Sequence, residues 1–159
     1  MEAGRREIAG AAVCAAGTLV LGSAGALFTG SLGDWYPALA KPSWTPPGWL
    51  FGPVWTVLYL MMGVALWLVA RRWRADSCAR VATAAWGAQM ALNVIWTPVF
   101  FGLRSPVGGL VVIALLWWAI VATAALSARV SRAAAALLAP YLAWVTFAAA
   151  LNTAIVAMN

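Results

Sequence analysis

Apolar residues dominate five stretches of the chain, roughly 8–28, 47–70, 79–101, 107–127 and 133–157, and polar residues fall mainly between them. Each stretch reaches the about 20 apolar residues that a helix needs to cross a hydrocarbon core. The pattern predicts an all-α integral membrane protein, a five-transmembrane-helix bundle formed by a single membrane domain over 1–159, with no room for a sixth span. The linkers after the second, third and fourth stretches are short, so successive helices are expected to be antiparallel neighbours. Arg5 and Arg6 precede the first stretch as they would in a signal peptide. That stretch is long, and no small-residue cleavage site with a polar end follows it, so it reads as an uncleaved first helix.

Polar positions inside the apolar stretches are few and ordered. In the third, Gln89, Asn93 and Thr97 recur every four residues and share one helical face, with Trp86, Trp96 and Phe100 beside them. Amides in hydrocarbon are costly unless partnered, so this face is expected to look into the bundle. Two readings stay open. The amides are interhelical glue, worth about 0.6 kcal/mol per bond, or they are the few polar groups of an otherwise apolar pocket. The second stretch aligns Trp55, Tyr59, Met62 and Leu66, and the fifth aligns Tyr141, Trp144, Ala148 and Asn152. On the third stretch the opposite face is small: Ala84, Gly87, Ala88 and Ala91. Such a face suits close backbone approach, either by a neighbouring helix or by a second copy in a homodimer.

The first linker, 29–46, is the one long loop, and it is rich in Pro, Gly and aromatic residues. Trp35, Tyr36, Trp44 and Trp49 fit either an interfacial aromatic belt or a lid over a ligand pocket between the helices. Thr45-Pro46-Pro47 reads as the start of the second helix, since proline is tolerated in a first turn. Pro53 and Pro140, inside apolar stretches, are expected to kink or loosen their helices.

Composition sharpens this picture. Of 159 residues, 65% are hydrophobic and 9% charged, too little polar surface for a water-soluble domain of this length. The formal net charge of +6 sits in short clusters between the apolar runs, which argues for a bilayer partner and against nucleic acid. Five spans put Arg5, Arg6, Arg71, Arg72, Arg74, Arg80, Arg129 and Arg132 on one side and only Lys41 and Arg104 on the other. By the positive-inside rule the N-terminus is expected in the cytoplasm and the C-terminus outside. Histidine is absent and the acids are Glu2, Glu7, Asp34 and Asp76, which removes His triads, His metal sites and most paired-carboxylate chemistry. No metal site and no required cofactor is expected. Cys14 and Cys78, far apart in sequence, read as free thiols. The bias to arginine and alanine fits a GC-rich bacterial coding sequence.

Several segments carry a resemblance. Trp35-Tyr36, Lys41-Pro42-Ser43-Trp44-Thr45-Pro46-Pro47-Gly48, Val54-Trp55-Thr56-Val57-Leu58-Tyr59, Asn93-Val94-Ile95-Trp96-Thr97-Pro98-Val99-Phe100-Phe101-Gly102 and Pro140-Tyr141-Leu142-Ala143-Trp144 follow one another in the order found in the tryptophan-rich sensory protein/translocator protein (TspO/MBR) family. The chain resembles that family over nearly its whole length. The resemblance implies a five-helix bundle, usually dimeric, with a pocket under the first loop. It also implies binding of porphyrins and, in some members, sterols and benzodiazepine-type drugs. The family's pocket residues fall on Trp35, Trp44, Trp55, Tyr59, Asn93, Trp96, Trp144 and Ala148. Trp55 and Trp144 match tryptophans proposed to act in light-driven porphyrin breakdown in some bacterial members. Two departures stand out. Pro37 follows Trp-Tyr where the family often has an acid or amide. The end, Leu151 to Asn159, lacks the Tyr and Arg of the animal cholesterol-recognition segment, so cholesterol is not expected as the physiological ligand.

Residue pattern and resemblance together predict a membrane receptor or sensor, or a carrier, for porphyrins and similar flat apolar ligands. The expected ligand-binding residues are Trp35, Trp44, Trp55, Tyr59, Gln89, Asn93, Trp96, Phe100, Tyr141, Trp144 and Ala148. Lys41 and Arg104, on the lid side, are expected to meet porphyrin propionates. The lack of histidine favours a free-base porphyrin over axially ligated haem. Two alternatives remain: an enzyme that degrades porphyrin in light through Trp55 and Trp144, and a regulatory membrane partner whose aromatics are simply core. No acid, base or metal constellation supports ordinary catalysis, so a binding protein is expected rather than an enzyme.

Overall fold

A computed structural model of the chain describes residues 2–25 and 35–159. The regular secondary structure of these residues is entirely helical. Five long helices, α1 (Glu2–Ser23), α3 (Phe51–Ala70), α4 (Ser77–Thr97), α5 (Pro106–Val130) and α6 (Arg132–Met158), are joined by a short α2 (Trp35–Ala38) in the first connection. The end of the predicted first span, 26–28, and the first part of the predicted lid, 29–34, lie outside the described residues.

Local chemistry sets the helix ends. Asp76 caps α4 by accepting from the Cys78 N–H at 2.8 Å, which puts Cys78 in the first turn of that helix. Ser105 caps α5 through Gly108 N–H at 3.0 Å, with Pro106 at the first helical position, where its missing N–H costs nothing. Ser131 alone separates α5 from α6. Its N–H donates to Ser127 O at 2.7 Å, closing one helix, and its hydroxyl accepts from Ala134 N–H at 3.3 Å, opening the next. Pro47 leads into a 3-10 turn over Gly48–Leu50 before α3 proper begins. Pro53 therefore occupies the first turn of α3, where no hydrogen bond is lost, and not a kink position deep in the helix. Pro140 does lie inside α6, which runs on through it.

Side-chain contacts show antiparallel neighbours. Gly63 of α3 rides directly on α1: a Cβ there would lie 2.4 Å from Ala15 Cα. Only glycine permits that approach, and close backbone packing is the main attraction between helices when lipid is the solvent. Met62, Tyr141, Leu138, Val145 and Ile120 fill the centre between α3, α5 and α6. A second cluster, Phe100, Leu151 and Ile155, underlies the α2 segment.

The two ends of the bundle differ. At one, Arg71 pairs with Glu7 at 2.7 Å, the Trp67 indole donates to the same carboxylate at 3.3 Å, and Arg72 donates to Val130 O. The bond to Arg71 holds the Glu7 carboxyl below the usual carboxylate range. At the other end, the Asn159 amide brackets Ala40, accepting from its N–H and donating to its C=O, each at 3.0 Å. Three helical segments are long and apolar enough to cross a membrane by length and composition: Gly48–Ala70, Pro106–Val130 and Arg132–Met158. α1 and α4 are of similar length but less apolar, because α1 opens on Glu2, Arg5, Arg6 and Glu7 and α4 carries Arg80, Gln89 and Asn93.

Candidate functional site

Between α1, α3 and the end of α4 lies a cavity of about 410 Å³. Phe51, Trp55, Trp96 and Phe101 supply aromatic walls, and Leu19, Gly22, Ser23 and Gly25 supply the α1 side. Tyr59 and Asn93 supply its buried polar groups, with Thr56 and Thr97 nearer the rim.

The polar wall is a short chain of hydrogen bonds linking three helices. Tyr59 Oη donates to Asn93 Oδ1 at 2.9 Å, and Asn93 Nδ2 donates to Tyr141 Oη at 3.0 Å. Asn93 is 6% exposed and Tyr141 fully buried, so this chain fixes the relative positions of α3, α4 and α6. Trp55 stacks on Tyr59 at 5.1 Å and 25°, and meets Tyr141 edge-on at 6.1 Å. Trp96 stacks on Phe100 at 5.0 Å and 20°. The wall thus offers flat π-faces held in place by other rings.

Two backbone features shape this space. Gly22 makes room for Tyr59, since a Cβ there would lie 2.2 Å from the ring. After Thr97, α4 widens into a π turn, Pro98–Gly102, closed by Leu103 N–H to Pro98 O at 2.9 Å. Pro98 cannot donate a backbone bond, and the extra residue per turn sends Phe100 inward to the core and Phe101 to the cavity.

The α2 segment lies over the end of α4. Trp35 and Tyr36 pack edge-on against Phe100 at 5.9 and 6.2 Å. Lys41 curls back so that its ammonium donates to Tyr36 O, Pro37 O and Leu39 O at 2.7, 3.1 and 2.9 Å. All three of its donors are engaged, so Lys41 stabilises the segment and is not free to meet a ligand carboxylate. Burial raises the Tyr36 hydroxyl above its ordinary value, which keeps it neutral.

Of the residues expected at the site, Trp55, Tyr59, Asn93 and Trp96 share the cavity wall. The others sit elsewhere. Phe100 backs Trp96 and is 2% exposed, and Tyr141 lies behind Asn93. Trp144 packs behind Phe51 at 5.7 Å, Ala148 joins the central core, and Trp44 leans on Phe147 with about half of its surface open. Trp35 borders a separate groove together with Arg104. Gln89 is fully buried one turn before Asn93, and neither amide atom has a partner among the described residues. Asn152 faces the start of α5, where turning its amide over lets the oxygen accept from Leu110 N–H at 2.7 Å and the nitrogen donate to Pro106 O at 3.1 Å. Ala84, Gly87, Ala88 and Ala91 lie together on the open surface of α4. Sequence reasoning missed the α1 side. The spacing of Gly22 and Gly25 gave only a weak signal, because α1 is rich in alanine and glycine along its whole length.

Comparison with known proteins shows the family. A model of the TspO/MBR family matches residues 12–158. The "Tryptophan-rich protein TspO" of Chlorobaculum tepidum is 46% identical over 156 residues, covering 97% of this chain and 98% of the relative. "Protein CrtK" of Rhodobacter capsulatus is 41% identical over 138 residues, covering 87% and 85%. The human "Translocator protein" is 44% identical over 119 residues, covering 74% and 70%. The cavity-wall segments lie within the matched residues, and the chain belongs to the TspO/MBR family of membrane proteins.

Proposed function

We propose that the chain is a five-span membrane receptor that binds a flat, largely apolar ligand of the porphyrin class in the α1–α3–α4 cavity. The carrying observation is the stacked Trp55–Tyr59 pair beside Asn93 on the wall of that cavity. Its volume falls in the range of small-molecule sites, about 300–1,000 Å³, and its chemistry is a hydrophobic slot with a few placed polar atoms. Relatives bear the names tryptophan-rich sensory protein and translocator protein, which supports a binding role. In this reading the arginine-rich end faces the cytoplasm, and the exposed Ala84–Ala91 face of α4 pairs with a second copy. Titration of the purified protein with protoporphyrin, followed by tryptophan emission, tests the reading. A Trp55→Ala, Trp96→Ala double variant that binds as well as the unaltered protein would rule this cavity out.

A second reading, light-dependent degradation of the bound porphyrin, is favoured by one observation: the Trp55 indole lines the cavity, within reach of a ligand. Illumination of the complex discriminates the two. A spectrally new product that disappears in Trp55→Phe supports degradation, and bleaching at the free-porphyrin rate supports binding alone.

A further inference from the structure

A groove of about 260 Å³ opens at the same end of the bundle but apart from the cavity, bordered by Trp35, Leu39, Arg104, Val107, Val156 and Asn159. Arg104 stands in the turn between α4 and α5 with φ of 51°, the only positive-φ non-glycine position among the described residues. The turn is pinned on both sides, by Leu103 N–H to Pro98 O at 2.9 Å and by Ser105 N–H to Phe100 O at 3.1 Å. Glycine would take this conformation without strain, so an arginine here is held against a backbone preference. The described acids, Glu2, Glu7 and Asp76, all belong to the other end of the bundle. The positive end of the α5 dipole adds to the charge of Arg104.

Below the groove the surface changes character. Val107, Val111, Leu115 and Trp118 form an exposed stripe at helical spacing along α5, 55–68% open. At about 1.5 Å per residue the stripe runs roughly 16 Å, close to the hydrocarbon depth of one leaflet, about 15 Å. A cation thus heads an apolar track as long as one acyl chain.

We propose that this groove is a specific site for a bilayer lipid with an anionic phosphate headgroup, the phosphate held by Arg104 and an acyl chain lying along the α5 stripe. Guanidinium–phosphate geometry suits such a headgroup. A zwitterionic lipid brings its own cation to the same place and gains less. The site is independent of the porphyrin cavity, because Arg104 lines the groove and not the cavity.

The test uses the full chain in detergent micelles, with phosphatidylglycerol, phosphatidylcholine or inorganic phosphate added and thermal unfolding and native mass spectrometry as readouts. Phosphatidylglycerol is expected to raise the unfolding midpoint and to stay bound through desolvation more than phosphatidylcholine does. In Arg104→Gln its affinity should fall by about tenfold or more, the loss of a charge-assisted contact. Arg80→Gln, at the opposite end, should leave it unchanged. Arg104→Gly removes the charge while relieving the backbone, so it should lose the lipid effect without losing the fold. Equal responses to the two lipids, or undiminished phosphatidylglycerol binding in both Arg104 variants, would overturn the proposal. Equal protection by millimolar inorganic phosphate would reassign the site to free anions. Competition by protoporphyrin would reassign it to that ligand's carboxylates.

Discussion

Tyr59 and Tyr141 never touch each other's hydroxyl directly in the hydrogen-bond chain; Asn93 stands between them, accepting from the first and donating to the second. One amide therefore joins α3 and α6 through α4 and at the same time forms part of the cavity wall. Under the proposed function, stability and recognition depend on the same side chain.

Replacing Asn93 by leucine should expose that double duty. Two buried tyrosine hydroxyls lose their partner, at a cost of about 1–3 kcal/mol. Ligand affinity should fall as well. Denaturant unfolding in detergent measures the first and fluorescence titration the second. A variant that loses affinity with no loss of stability would show that the chain of bonds contributes nothing to the fold.

Gly22→Ala should act through Tyr59. The added methyl would overlap the phenol ring, so either α1 shifts outward or Tyr59 rotates and breaks its bond to Asn93. Overpacking of this kind costs about 1–3 kcal/mol. Porphyrin affinity is expected to drop by an order of magnitude or so. Gly17→Ala, where a Cβ meets nothing, is the matched control and should be neutral.

Asn159→Ala should loosen the α2 segment. It removes both bonds to Ala40 and the bond to Ile155 O, and each exposed or half-exposed hydrogen bond contributes about 0.5–1.5 kcal/mol. Stopped-flow measurement should find ligand entering and leaving faster, with the equilibrium constant changed less than either rate. Unchanged rates would mean that this contact does not limit access.

The Glu7–Arg71 pair gives a pH dependence with a defined sign. Its hydrogen bond to Arg71 holds the carboxyl below the usual range, so the pair stabilises the fold above that range, and the contribution is lost as pH falls through the lowered value. The effect is small, because both partners are exposed. The difference in melting temperature between the unaltered protein and Glu7→Gln should be present at neutral pH and vanish in acid. A difference that grows on acidification would contradict the assignment.

Much of this was legible in the sequence, for a physical reason. Helix length and the four-residue spacing of Gln89, Asn93 and Thr97 are local properties of the chain, and they set the long elements and the face that turns inward. What escaped depends on three-dimensional packing between distant segments. Trp144 shares a face with Tyr141 in sequence, yet Phe51 stands between its ring and the cavity, and only the course of the 44–51 segment across α6 decides that. Lys41, read as a free cation, is consumed by three carbonyls within five residues of itself. The contribution of α1 was hidden because glycine marks a vacancy for another helix's side chain, and nothing local names the occupant.

The widened turn at Pro98–Gly102 has a bearing on how this segment tolerates change. A five-residue turn holds one residue more than ordinary α-helical winding needs. Excising Val99 would let that winding resume and leave Arg104 and the start of α5 near their present angle about the axis, because the wide turn already absorbs the extra residue. The change would fall on the local placement of Phe100 and Phe101. The same excision one turn earlier, in regular helix, would swing every later position by about 100°, so natural variants of the chain should shorten, if at all, within this turn and not beside it.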